Sequence, residues 1–305
     1  MSEGERELAP IVLFVYNRPW HTQQTIEALQ KNDLAKESEL FIYCDAAKDV
    51  VAKRSVDDVR SYVKSINGFK KIIIIERESN WGLADSIIDG VTSIVNEFGK
   101  IIVLEDDLVT SSYFLMFMNE ALSFYQVKEK VWHVSGYKPP IVVNKGRHFF
   151  LGPTSCWGWA TWSDRWQFFK KDSHYFLSKF NASNKSKFNI NNSYDYYSHI
   201  ELNHSKKMNT WAIFWYASVF FKDGLSLHPY ASLVKNIGHD NSGTNCGTNN
   251  DFDVELANEF YGSFPSEIEC ASAHEKSLEH YYKGLHKSLA KRIFLKIKYF
   301  SRMDR

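Results

Sequence analysis

Four compact apolar runs punctuate the first half of the chain. They are "PIVLFVYN" (Pro10 to Asn17), "ELFIYCD" (Glu39 to Asp45), "KKIIIIERE" (Lys70 to Glu78) and "KIIVLEDD" (Lys100 to Asp107). Between them, "RPWHTQQTIEALQ", "DDVRSYVKSI" and "GLADSIIDGVTSIVNEF" space their apolar residues at helical intervals. Continuous apolar strands separated by helices predict a parallel sheet covered on both faces. The fold class is therefore α/β, with a Rossmann-like, mostly parallel sheet and flanking helices.

After Pro139-Pro140 the pattern changes. "HFFLGPTSCWGWATWSDRWQFF" is aromatic and punctuated by glycine, and predicts a packed loop and short helix more than a strand. The Asn-rich "FNASNKSKFNINNSYDYYSH" predicts a surface excursion or lid. "NTWAIFWYASVFFKDG" reads as a buried helix closed by Gly224, "LSLHPYASLVKNIG" as strand pieces and "HDNSGTNCGTNN" as loop. The expected organisation is a domain over 1–265, with halves 10–140 and 141–265, followed by a basic helical tail over 266–305.

Composition narrows the function classes. A net charge of +1 supplies no global field for nucleic acid. Cys44, Cys156, Cys246 and Cys270 form no CxxC pair, which argues against a zinc site or a dense disulfide frame. The polar N-terminus and the absence of a run of about 20 apolar residues predict a cytoplasmic protein.

In parallel sheets ligands bind beyond the carboxyl ends of the strands. Here those ends, or the loops after them, carry Asn17 and Arg18, Asp45, Asn80, and the acids Glu105, Asp106 and Asp107. Neither G-x-G-x-x-G nor G-x-x-x-x-G-K-[ST] is present, so the usual dinucleotide and P-loop cradles are missing. Clustered carboxylates at a strand end suit Mn²⁺ or Mg²⁺, with phosphates completing the shell. The bland alternative is a solvated turn whose Asp107 caps the following helix.

"VLFVYNRP", "FIYCDAAKD", "NWGLADSI", "VLEDDLVTSSYFLMFMNEAL" and "CWGWATWSDRW" together resemble a GT-A glycosyltransferase, among bacterial sugar transferases related to N-acetylglucosaminyltransferase I. The resemblance runs from Pro10 to Cys246 and is strongest at "LEDD". It implies that Asp107 is the metal-binding acid of a DxD-type motif, while Glu105 and Asp106 face sugar and ribose. It also implies that Asn17, Arg18 and Asp45 line the nucleotide pocket, with Asn80, Gly82, Leu83 and Ser86 around the diphosphate-sugar.

One departure stands out. The relative carries an aspartate just after a tryptophan, whereas Ala212 and Ile213 follow Trp211 here. The base that an inverting transfer needs is sought instead at Asp240, His239 or Asp164. His239 has a second reading as a late metal ligand. Trp157 and Trp159 are the expected acceptor platform. In the tail, Leu278, Tyr281, Leu285, Leu289, Ile293, Ile297 and Phe300 form one apolar stripe among lysines, which suits an anionic membrane surface or packing on the domain.

The expected function is metal-dependent transfer from a nucleotide-sugar, UDP-linked, to a lipopolysaccharide, capsule or lipid-linked glycan acceptor. The alternatives are a nucleotidyltransferase and a non-catalytic nucleotide-sugar- or glycan-binding module.

Overall fold

A computed structural model describes residues 7–143, 146–240, 242, 251–260 and 262–285. Its strands are β1 (Ile11–Val15), β2 (Glu39–Cys44), β3 (Lys71–Glu76), β4 (Lys100–Glu105), β5 (Leu108–Thr110), β6 (Val131–Ser135), β7 (Phe149–Leu151), β8 (Trp159–Trp162), β9 (Leu225–His228) and β10 (Val234–Asn236). Its helices are α1 (Pro19–Gln30), α2 (Val50–Ser65), α3 (Leu83–Phe98), α4 (Phe114–Tyr125), α5 (Ser163–Trp166), α6 (Ser173–Lys179), α7 (Ala182–Phe188), α8 (Tyr196–His204) and α9 (Ala212–Phe220), followed by α10 (272–285).

Eight strands form one sheet in the order β3-β2-β1-β4-β8-β6-β9-β7. All run the same way except β8 and β7, so the sheet is mostly parallel. The strand alternation explains the unbroken apolar runs. Ile11, Leu13 and Val15 join Leu40, Ile42, Ile102 and Leu104 on one face, beneath α1, α2 and α4. Val12 and Phe14 join Phe41, Tyr43, Ile101 and Val103 on the other, beneath α3. Both faces are buried, so each strand position must be apolar. Gly90 lets α3 lie close, because a Cβ there would stand 2.8 Å from the Phe14 ring.

The sheet also crosses the expected boundary between the halves. Contrary to the loop-and-helix expectation, the segment after Pro140 supplies β7 and β8. "WATW" is buried at all four positions, since it lies between β4 and β6 with both faces covered. The Asn-rich stretch is helical rather than irregular, and much of it is exposed. It folds into α7 and the start of α8, and Phe188 and Ile200 bury in a cluster with Phe176 and Phe214. Helix α9 matches the expected buried helix.

Part of the tail stripe is covered by the domain. Leu278 packs with Ile141, Phe149, Leu151 and Ile190, and Tyr281 and Tyr282 lean on the same cluster. The stripe from Leu289 onward, with its Ile293, Ile297 and Phe300, lies outside the described residues. Among the described residues no helix is long and apolar enough to cross a membrane.

Candidate active site

The acids of "LEDD" do not cap a helix. Strand β5 intervenes, α4 begins only at Phe114, and Asp106 and Asp107 are buried. Their cation is Arg18, delivered by the turn after β1. Its guanidinium pairs with Asp106 through Nε and Nη2, and Nη2 lies 3.0 Å from Asp107 Oδ2. Thr25 of α1 pins the turn: its hydroxyl donates to the Asp106 carbonyl at 2.8 Å and accepts from Leu108 N at 3.1 Å. One guanidinium thus pairs with two of the three acids. Burial would lower the Arg18 pKa, and the two aspartates more than offset this. Among the described residues no cation pairs with Glu105; burial, then Asp107 and Asp106, push its carboxyl up to about 8 against the opposing charge of Arg18. Burial likewise raises Asp106. A further cation would be stabilised here.

The antiparallel pair β5–β10 brings the chain from Asn236 onward against the acids, and Ile237 N donates to the Asp107 carbonyl at 2.9 Å. Gly238 passes so close that a Cβ would stand 2.1 Å from Asp107 Oδ2 and 3.0 Å from Arg18 Nη1. We expect Gly238→Ala to displace the Asp107 carboxylate and weaken divalent-cation binding at the acids about tenfold, or ~1.4 kcal/mol, by titration calorimetry. Undiminished affinity would mean that Asp107 is not at the ligand.

His239 follows directly. Both its ring nitrogens are buried without a hydrogen-bond partner among the described residues, and its ring meets Trp157 edge-on at 5.5 Å. His239, Asp107, Glu105 and Trp157 all line one cavity of about 460 Å³, which continues past Leu83, Trp211, Ala212 and Ile213 to Tyr194, Tyr196 and Tyr282. Among the described residues no three His, Cys, Asp or Glu side chains converge as a closed metal site. Asp107 and His239 line the same cavity, and a carboxylate with an unpartnered imidazole is a donor set of the kind that divalent cations take.

Asp45 takes a different role from the one expected. Its Oδ1 accepts from Ala46 N and Trp81 N, both at 2.9 Å, and its Oδ2 accepts from Gly82 N at 2.8 Å and Asn80 Nδ2 at 3.0 Å. Asp45 and Asn80 therefore shape the turn into α3, where Gly82 holds φ +74°. Ser86 is buried within α3, its N–H bonded to the Gly82 carbonyl, while Leu83 reaches the cavity. Asn17 stands at the bend between β1 and α1, beside Arg18. Asp45→Ala leaves the buried Ala46 N–H and the part-buried Trp81 and Gly82 N–H groups without their acceptor, and urea denaturation is expected to show a loss of about 2 kcal/mol; a loss below about 1 kcal/mol would make the clamp incidental.

Three further expectations need correction. Asp164 is remote from the acids. Strand β8 runs antiparallel to β4, pairing Trp159 with Val103 but Trp162 with Lys100, so Asp164 emerges at the opposite sheet edge, exposed and paired with Arg165. Asp240 turns away to His21, 3.1 Å from its Nε2, and is not among the cavity-lining residues. Donation from the Ser242 hydroxyl and N–H holds its carboxyl at about 2, which suits a base poorly. Trp159 is fully buried among Trp166, Trp211 and Trp215, so it offers no face to an acceptor. Trp157 alone of that pair reaches the cavity.

Sequence reasoning missed His199, Tyr194, Tyr196, Tyr216 and Tyr282 as cavity residues. It also missed Arg77, whose guanidinium lies 3.9 Å over the Trp81 ring and pairs with Asp89. No local spacing joins these positions; α8, α9 and α10 meet only in the folded chain.

No protein-family model and no curated protein matches this chain. Among solved structures it is similar to S. aureus TarS 1-349 in complex with UDP-GlcNAc, with 16% identity and a TM-score of 0.32 over 42% of this chain and 33% of that one. A second TarS 1-349 structure gives 12% identity and a TM-score of 0.34 over 53% and 48%. GalNAc-T7 with UDP, GalNAc and Mn²⁺ gives 10% identity and a TM-score of 0.45 over 74% and 43%. This chain spans less than half the length of each of these chains. Likenesses this partial leave the chemistry to the site's own geometry.

Proposed function

We propose that the protein is a metal-dependent glycosyltransferase that moves a sugar from a UDP-linked donor to a glycan acceptor of surface polysaccharide. The observation that carries this is the acidic triplet at the carboxyl end of β4, whose two buried aspartates share one guanidinium and whose Glu105 and Asp107 line a cavity rich in aromatic side chains. Asp107 and His239 would hold Mn²⁺ or Mg²⁺. When bound, such an ion neutralises charge on the diphosphate leaving group. Arg18 keeps the two aspartates oriented, and Glu105 faces the same space. Trp157 presents an aromatic surface beside His239, suited to the C–H face of a sugar.

A second reading is a binding module without turnover. It is favoured by Ala212 in the cavity wall, where the resemblance to N-acetylglucosaminyltransferase I leads one to expect a carboxylate. A thermal-shift and UDP-release screen of nucleotide-sugars with and without Mn²⁺ separates the two. Turnover establishes the transferase, a metal-dependent shift without turnover the binder, and no response to any donor sinks both. For the tail we propose contact with an anionic membrane, tested by vesicle cosedimentation of the full chain at low and high salt.

A further inference from the structure

The cavity has two chemically distinct ends. Its only described carboxylates, Glu105 and Asp107, lie at the triplet. The part of the wall built from α8, α9 and the loop between them carries no carboxylate. Helices α8 and α9 form an antiparallel hairpin. At its closed end Thr210 N donates to Asn203 Oδ1 at 3.0 Å, and further out the Tyr196 and Tyr216 rings lie 5.1 Å apart. His199 falls between these two pins, at the level of Ala212 and Ile213, and it lines the cavity with both.

We infer that His199 takes the proton from the acceptor hydroxyl during sugar transfer, an inference that rests on the glycosyltransferase reading of this cavity. Of the other cavity histidines, His228 commits Nδ1 to the Tyr137 carbonyl at 2.9 Å and is fully enclosed, while His239 belongs to the Asp107 end. Among the described residues the His199 ring has aromatic neighbours, Tyr194 at 6.1 Å and Tyr196 at 6.3 Å, and no hydrogen-bond partner. In the step, the acceptor oxygen bonds to the anomeric carbon while its proton passes to an imidazole nitrogen. The bond from that carbon to the diphosphate breaks, and its electron pair leaves with the nucleoside diphosphate. The imidazolium returns its proton to water after product departs.

The surroundings suit a base at neutral pH. Tyr194 and Tyr196 face the ring, Tyr216 comes from α9 and Tyr282 from α10, and all are neutral phenols near pH 7. Lys206 and Lys207 of the intervening loop are exposed. Burial lowers the His199 pKa, and the nearby charge of Asp195 only partly opposes it. The His199 contribution to transfer is therefore constant above the ordinary histidine pKa of about 6.5 and falls as pH drops below the lowered one.

The test measures UDP release from a panel of UDP-hexoses and UDP-N-acetylhexosamines with Mn²⁺ and mixed methyl hexosides as acceptors, across about pH 5 to 8. His199→Gln is expected to lower kcat by about 10²- to 10⁴-fold and to abolish the acid limb, with the donor KM unchanged. Titration of UDP with Mn²⁺, which reads the other end of the cavity, shows whether the variant is folded. Normal binding with an undiminished rate and an intact acid limb in His199→Gln overturns the role of His199 alone. Failure of the unsubstituted protein to bind UDP with Mn²⁺, or to turn over any donor, overturns the transferase reading and this step with it.

Discussion

Asp107→Asn is expected to lose manganese-dependent UDP binding by at least about 100-fold, or ~2.7 kcal/mol, while the melting temperature hardly moves. The amide keeps the shape of the carboxylate and an oxygen for Arg18 Nη2, and Arg18 retains Asp106 on its other side. What it removes is the full charge that a divalent cation needs from a hard oxygen ligand. Stability is protected for a further reason. Asp107 is one of the charges that push Glu105 up, so neutralising it relieves repulsion in the metal-free protein. Calorimetric titration of UDP with and without Mn²⁺ provides the measurement, and thermal denaturation the control. Unchanged manganese dependence in a folded Asp107→Asn protein would remove the acid from the site and the DxD-type reading with it.

The parallel half of the sheet was legible because its signal is local. A strand buried on both faces must be apolar at every position, and β1, β2, β3 and β4 each read that way within a few residues. The same logic made the triplet legible, since an apolar run that breaks into three acids marks where the sheet stops. Strand β8 was hidden by its own composition. A run of tryptophans beside glycine reads as a surface platform unless its flanking strands are known. Asp45 misled for the opposite reason: a carboxylate at a strand end is equally suited to a ligand and to the N–H groups of the next turn, and here Trp81 N and Gly82 N took it. Asp164 and Asp240 were placed by motif and lost by direction, one to the antiparallel sense of β8 and the other to His21. Residues such as His199 and Tyr282 reach the cavity through the packing of three helices far apart in sequence, which no local pattern records.

The two tryptophans of "CWGW" provide the sharpest separation of core from cavity. Trp159 has no exposed surface; its indole stacks on Trp211 at 5.2 Å and on His133 at 5.4 Å, and Trp166 and Trp215 close around it. Truncation leaves a cavity that the rigid sheet above and α9 below cannot fill. Trp159→Ala is therefore expected to cost about 4 kcal/mol in urea denaturation, within the range for a buried aromatic. Its indole N–H lacks a partner among the described residues, so no hydrogen bond is lost with it. Trp157 is only half-buried and meets Tyr137, His239 and Phe252 edge-on. Trp157→Ala is expected to cost less than half as much in stability and to weaken acceptor use, read as a raised acceptor KM at constant donor affinity. The reverse pattern, a stable Trp159→Ala with impaired acceptor binding, would return Trp159 to the surface and contradict its place between β4 and β6.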